Sequence, residues 1–190
     1  KLIDFITNKG KSEALNYGFN NCIGNVIITI DGDLQDDPME FTNLINKINS
    51  GSDMVTGWKK NRKDSISKRI LSKIFNFILR LLTGIKIHDF NCGLKAYKKN
   101  VIKSVDVYGG LHRFIPILAY KKGFIVDEII VNHREREFGK SKYDSSRLFH
   151  GFFDLITLLF LNKYFNRPLH LFGLLGFILL LVGLVINVNL

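Results

Sequence analysis

Cysteine is scarce, with two thiols, Cys22 and Cys92, in 190 residues. Two cannot build a disulfide framework, and neither sits in a zinc-ligand spacing, so a reducing compartment is expected. Internal repeats are absent. Charge disappears altogether near the end of the chain, where no Asp, Glu, Lys or Arg follows Arg167. Acidic residues are also outnumbered, 17 against 27 Lys plus Arg, for a net charge of +10. What is abundant is apolar material: 46% of residues are hydrophobic and 16 are Phe, which excludes a disordered tail and is enough to fill one ordinary core. The basic excess asks for an anionic partner, which composition leaves open between nucleic acid, a phosphate-bearing small molecule and an anionic membrane surface.

The uncharged tail, residues 168–190, reads as a transmembrane helix. Its unbroken run from Leu171 to Ile186, with flanks, approaches the roughly 20 residues that cross a bilayer. A buried core helix is the competing reading. This run is not expected to be a signal peptide, because it lies at the C-terminal end of the sequence. Both termini read as cut from a longer protein. Before the tail, Leu148 to Phe165 is apolar but interrupted by Asp154, which suits a juxtamembrane amphipathic helix over residues 148–167. Lys163 and Arg167 then precede the expected span and favour a cytoplasmic face for the domain before it, residues 1–147.

Within that domain, short apolar β-rich runs alternate with stretches of helical period, the pattern of βαβ units on a mostly parallel sheet. Helices are expected over Lys11 to Asn21, after the capping pair Asp36 and Asp37 with Pro38, over Ser65 to Leu82, and around His112 to Lys122. Strands are expected over Asn25 to Ile30, Asp53 to Gly57, Leu94 to Tyr97 and Phe124 to Val131.

The segment Asp31 to Pro38, DGDLQDDP, follows the first strand directly, where open α/β sheets bind ligands. Asp31, Asp33 and Gln35 alternate along a turn, so their oxygens can converge on a hard cation, Mg²⁺ or Mn²⁺. An EF-hand is excluded: its sixth position would be Asp36 instead of Gly and its twelfth Thr42 instead of Glu. A solvated acidic turn that only caps the next helix remains the alternative. Farther on, Arg134, Arg136, Lys140 and Lys142 lie in a Gly- and Ser-containing loop where cations could close over phosphates, with Arg62 a weaker candidate.

Several segments together carry a family resemblance: Asn8-Lys9-Gly10-Lys11, DGDLQDDP, Thr56 to Arg62 (TGWKKNR), HDFNCGLKAYKK from His88, LHRFIPILA from Leu111 and HREREFGKSKY from His133. The chain resembles the family 2 glycosyltransferases, and within them the polyprenyl-phosphate (dolichyl- and undecaprenyl-phosphate) sugar transferases. The resemblance implies a GT-A, Rossmann-like fold in which the D-x-D region, here Asp31, Asp33 and Gln35, holds a nucleotide-sugar diphosphate through a metal. It matches Arg136, Ser141 and Lys142 to an R-x-x-G-x-S-K pattern, and it aligns Asp89 with an acidic residue near the acceptor site. A phosphate acceptor, with a second pKa of roughly 6, is already an anionic nucleophile, so Asp89 is expected to position rather than deprotonate. Similar enzymes contact the base through an N-terminal strand region that this chain does not include. The Q-x-x-R-W signature of processive polysaccharide synthases is missing, because Gln35 and Trp58 are the only residues of their kinds.

Charge position narrows the partner. Residues 59–80 hold eight Lys or Arg and one Asp, whereas residues 1–58 hold four Lys against eight Asp or Glu. The basic excess sits on the amphipathic Ser65 to Leu82 helix, which can lay an apolar side on lipid and draw anionic head groups, or can be an ordinary helix on the sheet. The expected function is metal-dependent, inverting transfer of a sugar from a GDP- or UDP-linked donor to a membrane polyprenyl phosphate at the cytoplasmic face of the cell membrane. Nucleic acid is not an expected partner, and a homo-oligomer is compatible with the reading. Transfer to another lipid or to a polysaccharide, and a catalytically silent membrane-anchored module for anionic ligands, are the alternatives.

Overall fold

The computed structural model describes residues 2–60, 66–134, 153, 156, 157, 160 and 169–188. Residues 1–141 and 142–190 form two compact units.

In the first unit the elements run α1 (Gly10–Asn21), β1 (Val26–Thr29), a 3-10 turn (Pro38–Glu40), α2 (Phe41–Asn49), β2 (Met54–Trp58), α3 (Ile66–Thr83), β3 (Lys95–Lys98), α4 (Lys99–Ser104), a second 3-10 turn (Leu111–Phe114), α5 (Ile115–Lys121) and β4 (Val126–Ile130). Local chemistry sets several boundaries. Asp37 caps the first 3-10 turn by accepting from Met39 N at 3.1 Å, ahead of Pro38. α2 closes at Ser50 with Gly51 at φ +120°, a left-handed position that glycine takes without a Cβ penalty.

The four strands lie in the order β1-β3-β2-β4. β2 and β4 pair in parallel, with Met54 opposite Val126 and Trp58 opposite Ile130. β3 runs antiparallel to both β1 and β2, with Ile27 and Met54 each opposite Tyr97. The expected mostly parallel sheet is therefore corrected to a mixed one. β1, β2 and β4 share a direction, and β3 is inserted between two of them the other way round. β3, Lys95-Ala96-Tyr97-Lys98, is covered on both faces and reads alike in either direction, so composition does not carry this orientation. The insertion matters for position: the loops after β1, β2 and β4 and the loop before β3 all emerge at one rim.

Both faces of the sheet are covered. Met54 and Tyr97 pack on one side with Phe19 of α1, Val101 and Ile102 of α4, and Ile115 and Ala119 of α5. Val55 and Ala96, one residue along on each strand, face the other way onto Leu44 and Ile48 of α2, with Cys92, Leu94 and Val131. α3 is different. Leu79 is fully buried and Asn76 is 6% exposed, but the stripe Ile70, Ile74, Phe77, Ile78 and Leu81 lies open, with Leu81 74% exposed. Its apolar stripe is therefore not packed on the sheet as an ordinary amphipathic helix would be.

In the second unit, α6 (Leu169–Val188) carries no Asp, Glu, Lys or Arg. Its unbroken apolar run between His170 and Asn187 is 16 residues, about 24 Å of helix against a hydrocarbon core of about 30 Å. Among the described residues, no helix is long and apolar enough to cross a membrane. The expected transmembrane helix over 168–190 is corrected accordingly, and the juxtamembrane helix expected over 148–167 falls largely outside the described residues.

The packing of α2 gives a direct test. Replacing fully buried Leu44 with Ala is expected to cost about 3 kcal/mol, whereas Ile45→Ala, at a position 37% exposed, is expected to cost less than about 1 kcal/mol. Urea denaturation of the two variants checks the difference.

Candidate active site

The shared rim collects most of the candidate residues that are described. The turn after β1 alternates: Asp31, Asp33 and Gln35 are half-buried, whereas Gly32 and Leu34 are exposed. Leu34 sits at φ +60°, left-handed for a non-glycine residue, which is how the chain turns sharply between Asp33 and Gln35. Asp33 Oδ1 accepts from Gln35 N at 3.3 Å. The Asp31 carboxylate pairs with the Lys11 ammonium of α1 at 2.5 Å. Burial pushes the Asp31 carboxyl up, but Lys11, with Lys59 and Lys95 behind it, outweighs that and holds it below its ordinary value.

The rest of the acidic segment is strapped to the chain after β4. Asp36 forms an isolated antiparallel bridge with His133, and Arg134 N donates to Gln35 O at 2.9 Å. Arg134 Nη2 meets Asp37 Oδ1 at 2.8 Å. Arg134, an expected phosphate contact, has its guanidinium engaged by the helix-capping carboxylate in this arrangement. Asp37 is held below the usual carboxylate range by the Met39 amide and then by Arg134. Arg62, Arg136, Lys140, Ser141 and Lys142 lie outside the described residues.

Beneath the turn is a buried charged layer. Lys59 pairs with Asp36 at 2.6 Å, their side chains 9% and 0% exposed. Burial would lower the Lys59 pKa, but Cys92, Asp36 and Asp89 outweigh it and raise it. Lys95, 4% exposed, donates to Cys92 O; burial pulls its pKa down against Cys92 and Asp89. Burial, with Asp89 beside it, pushes the Cys92 thiol up to about 12, so it is no nucleophile at neutral pH. Asp89 is only 3% exposed, with Oδ1 accepting from Asn91 N at 3.1 Å and its carbonyl accepting from Thr56 Oγ1 at 3.4 Å. Gly93 lies against Asp31, where any Cβ would fall inside the carboxylate's van der Waals envelope.

A hard divalent cation is the group this donor set suggests. Among the described residues there is no cluster of three or more His, Cys, Asp or Glu that could hold a metal. Asp31 and Asp33 with the Gln35 amide fit a shell completed by substrate oxygens, as Mg²⁺ sites built on one or two carboxylates and phosphates are. The Asp31 carboxylate already holds one cation, the Lys11 ammonium.

From the sequence, His112 is expected to be structural or a phosphate contact rather than a ligand, and Lys11 and Lys95 carry no expected role. Lys11 belongs to the segment Asn8 to Lys11 that carries the family resemblance, and a lysine in the first turn of α1 was the available signal. His112 lies near it: Ser12 Oγ donates to Gly109 O at 2.6 Å and meets His112 Nδ1 at 3.0 Å. The hydroxyl proton is used on the carbonyl, so the imidazole presents Nδ1–H to the Ser12 oxygen.

The profile described as glycosyl transferase family 2 matches residues 1–106, from the start of the chain through Asp89 and β3 to just past α4. The chain belongs to glycosyl transferase family 2. This family 2 chain is 37% identical over 182 residues to a dodecaprenyl-phosphate galacturonate synthase of Rhizobium johnstonii, a match covering 93% of the chain and 53% of that protein. It is likewise 37% identical over 176 residues to an undecaprenyl-phosphate 4-deoxy-4-formamido-L-arabinose transferase of Pseudomonas syringae pv. syringae, covering 93% of the chain and 51% of the relative. The chain thus spans about half the length of these relatives. In fold it is similar to glucosyl-3-phosphoglycerate synthase of Mycobacterium tuberculosis, solved with Mn²⁺, UDP-glucose and glycerol 3-phosphate: the TM-score is 0.55 at 18% identity, over 80% of this chain and 54% of that one. The family 2 fold here is accordingly GT-A-like, α/β with a mixed sheet.

One property of the site is testable by stability alone. Burial, helped by Arg113, Lys11 and Lys95, pushes His112 down from 6.5 to about 4. Between those values the unfolded chain binds a proton that the folded chain refuses, so stability falls as pH drops from about 6.5 to about 4 and levels off below. Thermal unfolding at pH 7 and pH 4.5 should show this loss, on the order of 3 kcal/mol at most, and His112→Asn should remove that component.

Proposed function

We propose that this chain is part of a membrane-associated glycosyltransferase that moves one sugar, with inversion, from a nucleotide-diphosphate sugar to a polyprenyl phosphate. The observation that carries the reading is the rim, where the Asp31-Gly32-Asp33 turn, buried Lys59 and Lys95, and partly exposed Lys11 meet. The names of its relatives, both polyprenyl-phosphate sugar transferases, support the acceptor class.

The residues have separable duties in this reading. Asp31, Asp33 and Gln35 would hold Mg²⁺ or Mn²⁺, which when bound supplies positive charge for the departing diphosphate. Lys11, next to that carboxylate and 43% exposed at its side chain, is placed to turn its ammonium to a phosphate oxygen. Arg62, Arg136, Lys140, Ser141 and Lys142 are proposed as further phosphate contacts. Arg134 instead secures the turn through Asp37. The acceptor phosphate is already anionic at neutral pH and attacks without strong base help, so buried Asp89 orients the acceptor side rather than drawing off a proton. Inversion follows from a single displacement in which the acceptor oxygen forms the new glycosidic bond as the sugar–diphosphate bond breaks.

Membrane association is supported by the open stripe on α3, Ile70, Ile74, Phe77, Ile78 and Leu81, with exposed Arg69 and Lys73 on the same helix. The uncharged α6 adds apolar surface in the second unit.

The test uses membranes containing the full-length protein, supplied in turn with labelled GDP-mannose, UDP-glucose, UDP-N-acetylglucosamine and UDP-galacturonate, then extracted into organic solvent. A lipid-linked monosaccharide is expected from one donor, and Asp33→Ala should cut its formation roughly 100-fold or more. Product from none of the donors rejects the polyprenyl-phosphate acceptor.

A further inference from the structure

A cluster at the same rim, made by Glu128, His88 and Trp58, has no part in the chemistry above. Glu128 lies on β4 opposite Thr56 of β2. Its Oε2 accepts from the His88 backbone N at 2.7 Å, and its Oε1 meets His88 Nδ1, so one carboxylate grips both the main chain and the ring of one residue. The ring in turn stacks on Trp58, centroids 4.1 Å apart and planes within 13°. The Lys60 ammonium stands 5.6 Å from the Trp58 centroid. Trp58 is committed to these contacts, which disfavours it as a platform for a sugar.

His88 opens the turn that ends on Asp31. Along that turn Asp89 O is held by Thr56 Oγ1 at 3.4 Å, Phe90 N by Asn76 Oδ1 at 3.4 Å, and Gly93 O by Thr29 Oγ1 at 3.0 Å. These three holders are neutral and make one contact each to the turn, and the Lys95 ammonium donates to Cys92 O near its far end. Glu128 is charged, two-pronged and 14% exposed, and it grips the turn at its first residue. The far end of the turn, Gly93, packs directly on the Asp31 carboxylate, so a shift entering at His88 is delivered to Asp31 through a segment only six residues long.

We propose that Glu128 is a positioning residue: by clamping His88 against Trp58 it sets the 88–93 turn and, through Asp89 and Gly93, the seat of the Asp31 carboxylate. The proposal rests on the transferase reading for its effect on rate, but not for its effect on geometry. Glu128→Ala removes both contacts, whereas Glu128→Gln keeps an oxygen that can accept from His88 N.

The experiment compares full-length wild type, Glu128→Ala and Glu128→Gln for kcat, donor KM, thermal midpoint and Trp58 emission, the last as the difference from a Trp58→Phe background. Glu128→Ala is expected to lower kcat on the order of 10- to 100-fold with donor KM and the midpoint nearly unchanged. It should also shift Trp58 emission, and Glu128→Gln should recover activity to within a few-fold of wild type. Wild-type kcat and unaltered emission in Glu128→Ala overturn the proposal. So does an equal loss in both variants with a lowered midpoint, which marks a merely structural residue. If wild type makes no product from any donor, the transferase reading fails while emission still decides: a shift in Glu128→Ala sustains the clamp, and no shift rejects it.

Discussion

One strand running against its neighbours organises this molecule. With β3 reversed between β1 and β2, the segment before it arrives at the rim where the segments after β1, β2 and β4 also arrive. Had β3 been parallel, the turn containing Asp89 and Gly93 would open at the opposite end of the sheet, roughly 13 Å away for a four-residue strand, and nothing would press on Asp31. The four rim segments then hold one another. Asp31 is bounded by Gly93 and Lys11, Asp36 by Lys59 and His133, and His88 by Glu128.

The second constraint is electrostatic. The rim concentrates carboxylates, and the sheet answers with lysines from beneath: Lys59 at the end of β2, Lys95 at the start of β3 and Lys11 from α1. Burying such groups is costly unless each is paired, and an ion pair as covered as Lys59 with Asp36 gives specificity of placement more reliably than net stability. The arrangement resembles a charge lattice that is nearly neutral without ligand and can be re-partnered when a phosphate enters.

How much of this could be read from the sequence differs by kind. Helices and strands were legible because periodicity and capping residues fix them locally: Asp37 and Pro38 start a helical segment, and Ser50-Gly51 ends one. The acidic turn and its alternation were legible for the same reason. The direction of β3 was not, because a strand buried on both faces reads alike in either direction. Lys11 with Asp31, Arg134 with Asp37 and Glu128 with His88 were illegible too, since each joins residues 20, 97 or 40 apart and no local pattern encodes the meeting. The stripe on α3 was visible as amphipathic, but whether it faced core or solvent needed the packing around Leu79 and Asn76. The tail was plainly apolar, yet its span depended on the two polar residues, His170 and Asn187, that bracket it.

The bridge between Asp36 and His133 also bears on how the molecule comes into being. The acidic turn leaves the ribosome early, but the strap that shapes it comes from a segment nearly a hundred residues later, as the 97-residue separation of Asp37 and Arg134 shows. Contacts of such sequence distance close late, after local helices and neighbouring strands have paid the loop entropy. The acidic turn can therefore take its local bend early, but its strap to Asp36 and Asp37 closes only once β4 has been synthesised and docked. The strapped turn is in this sense a report that the whole sheet has been completed.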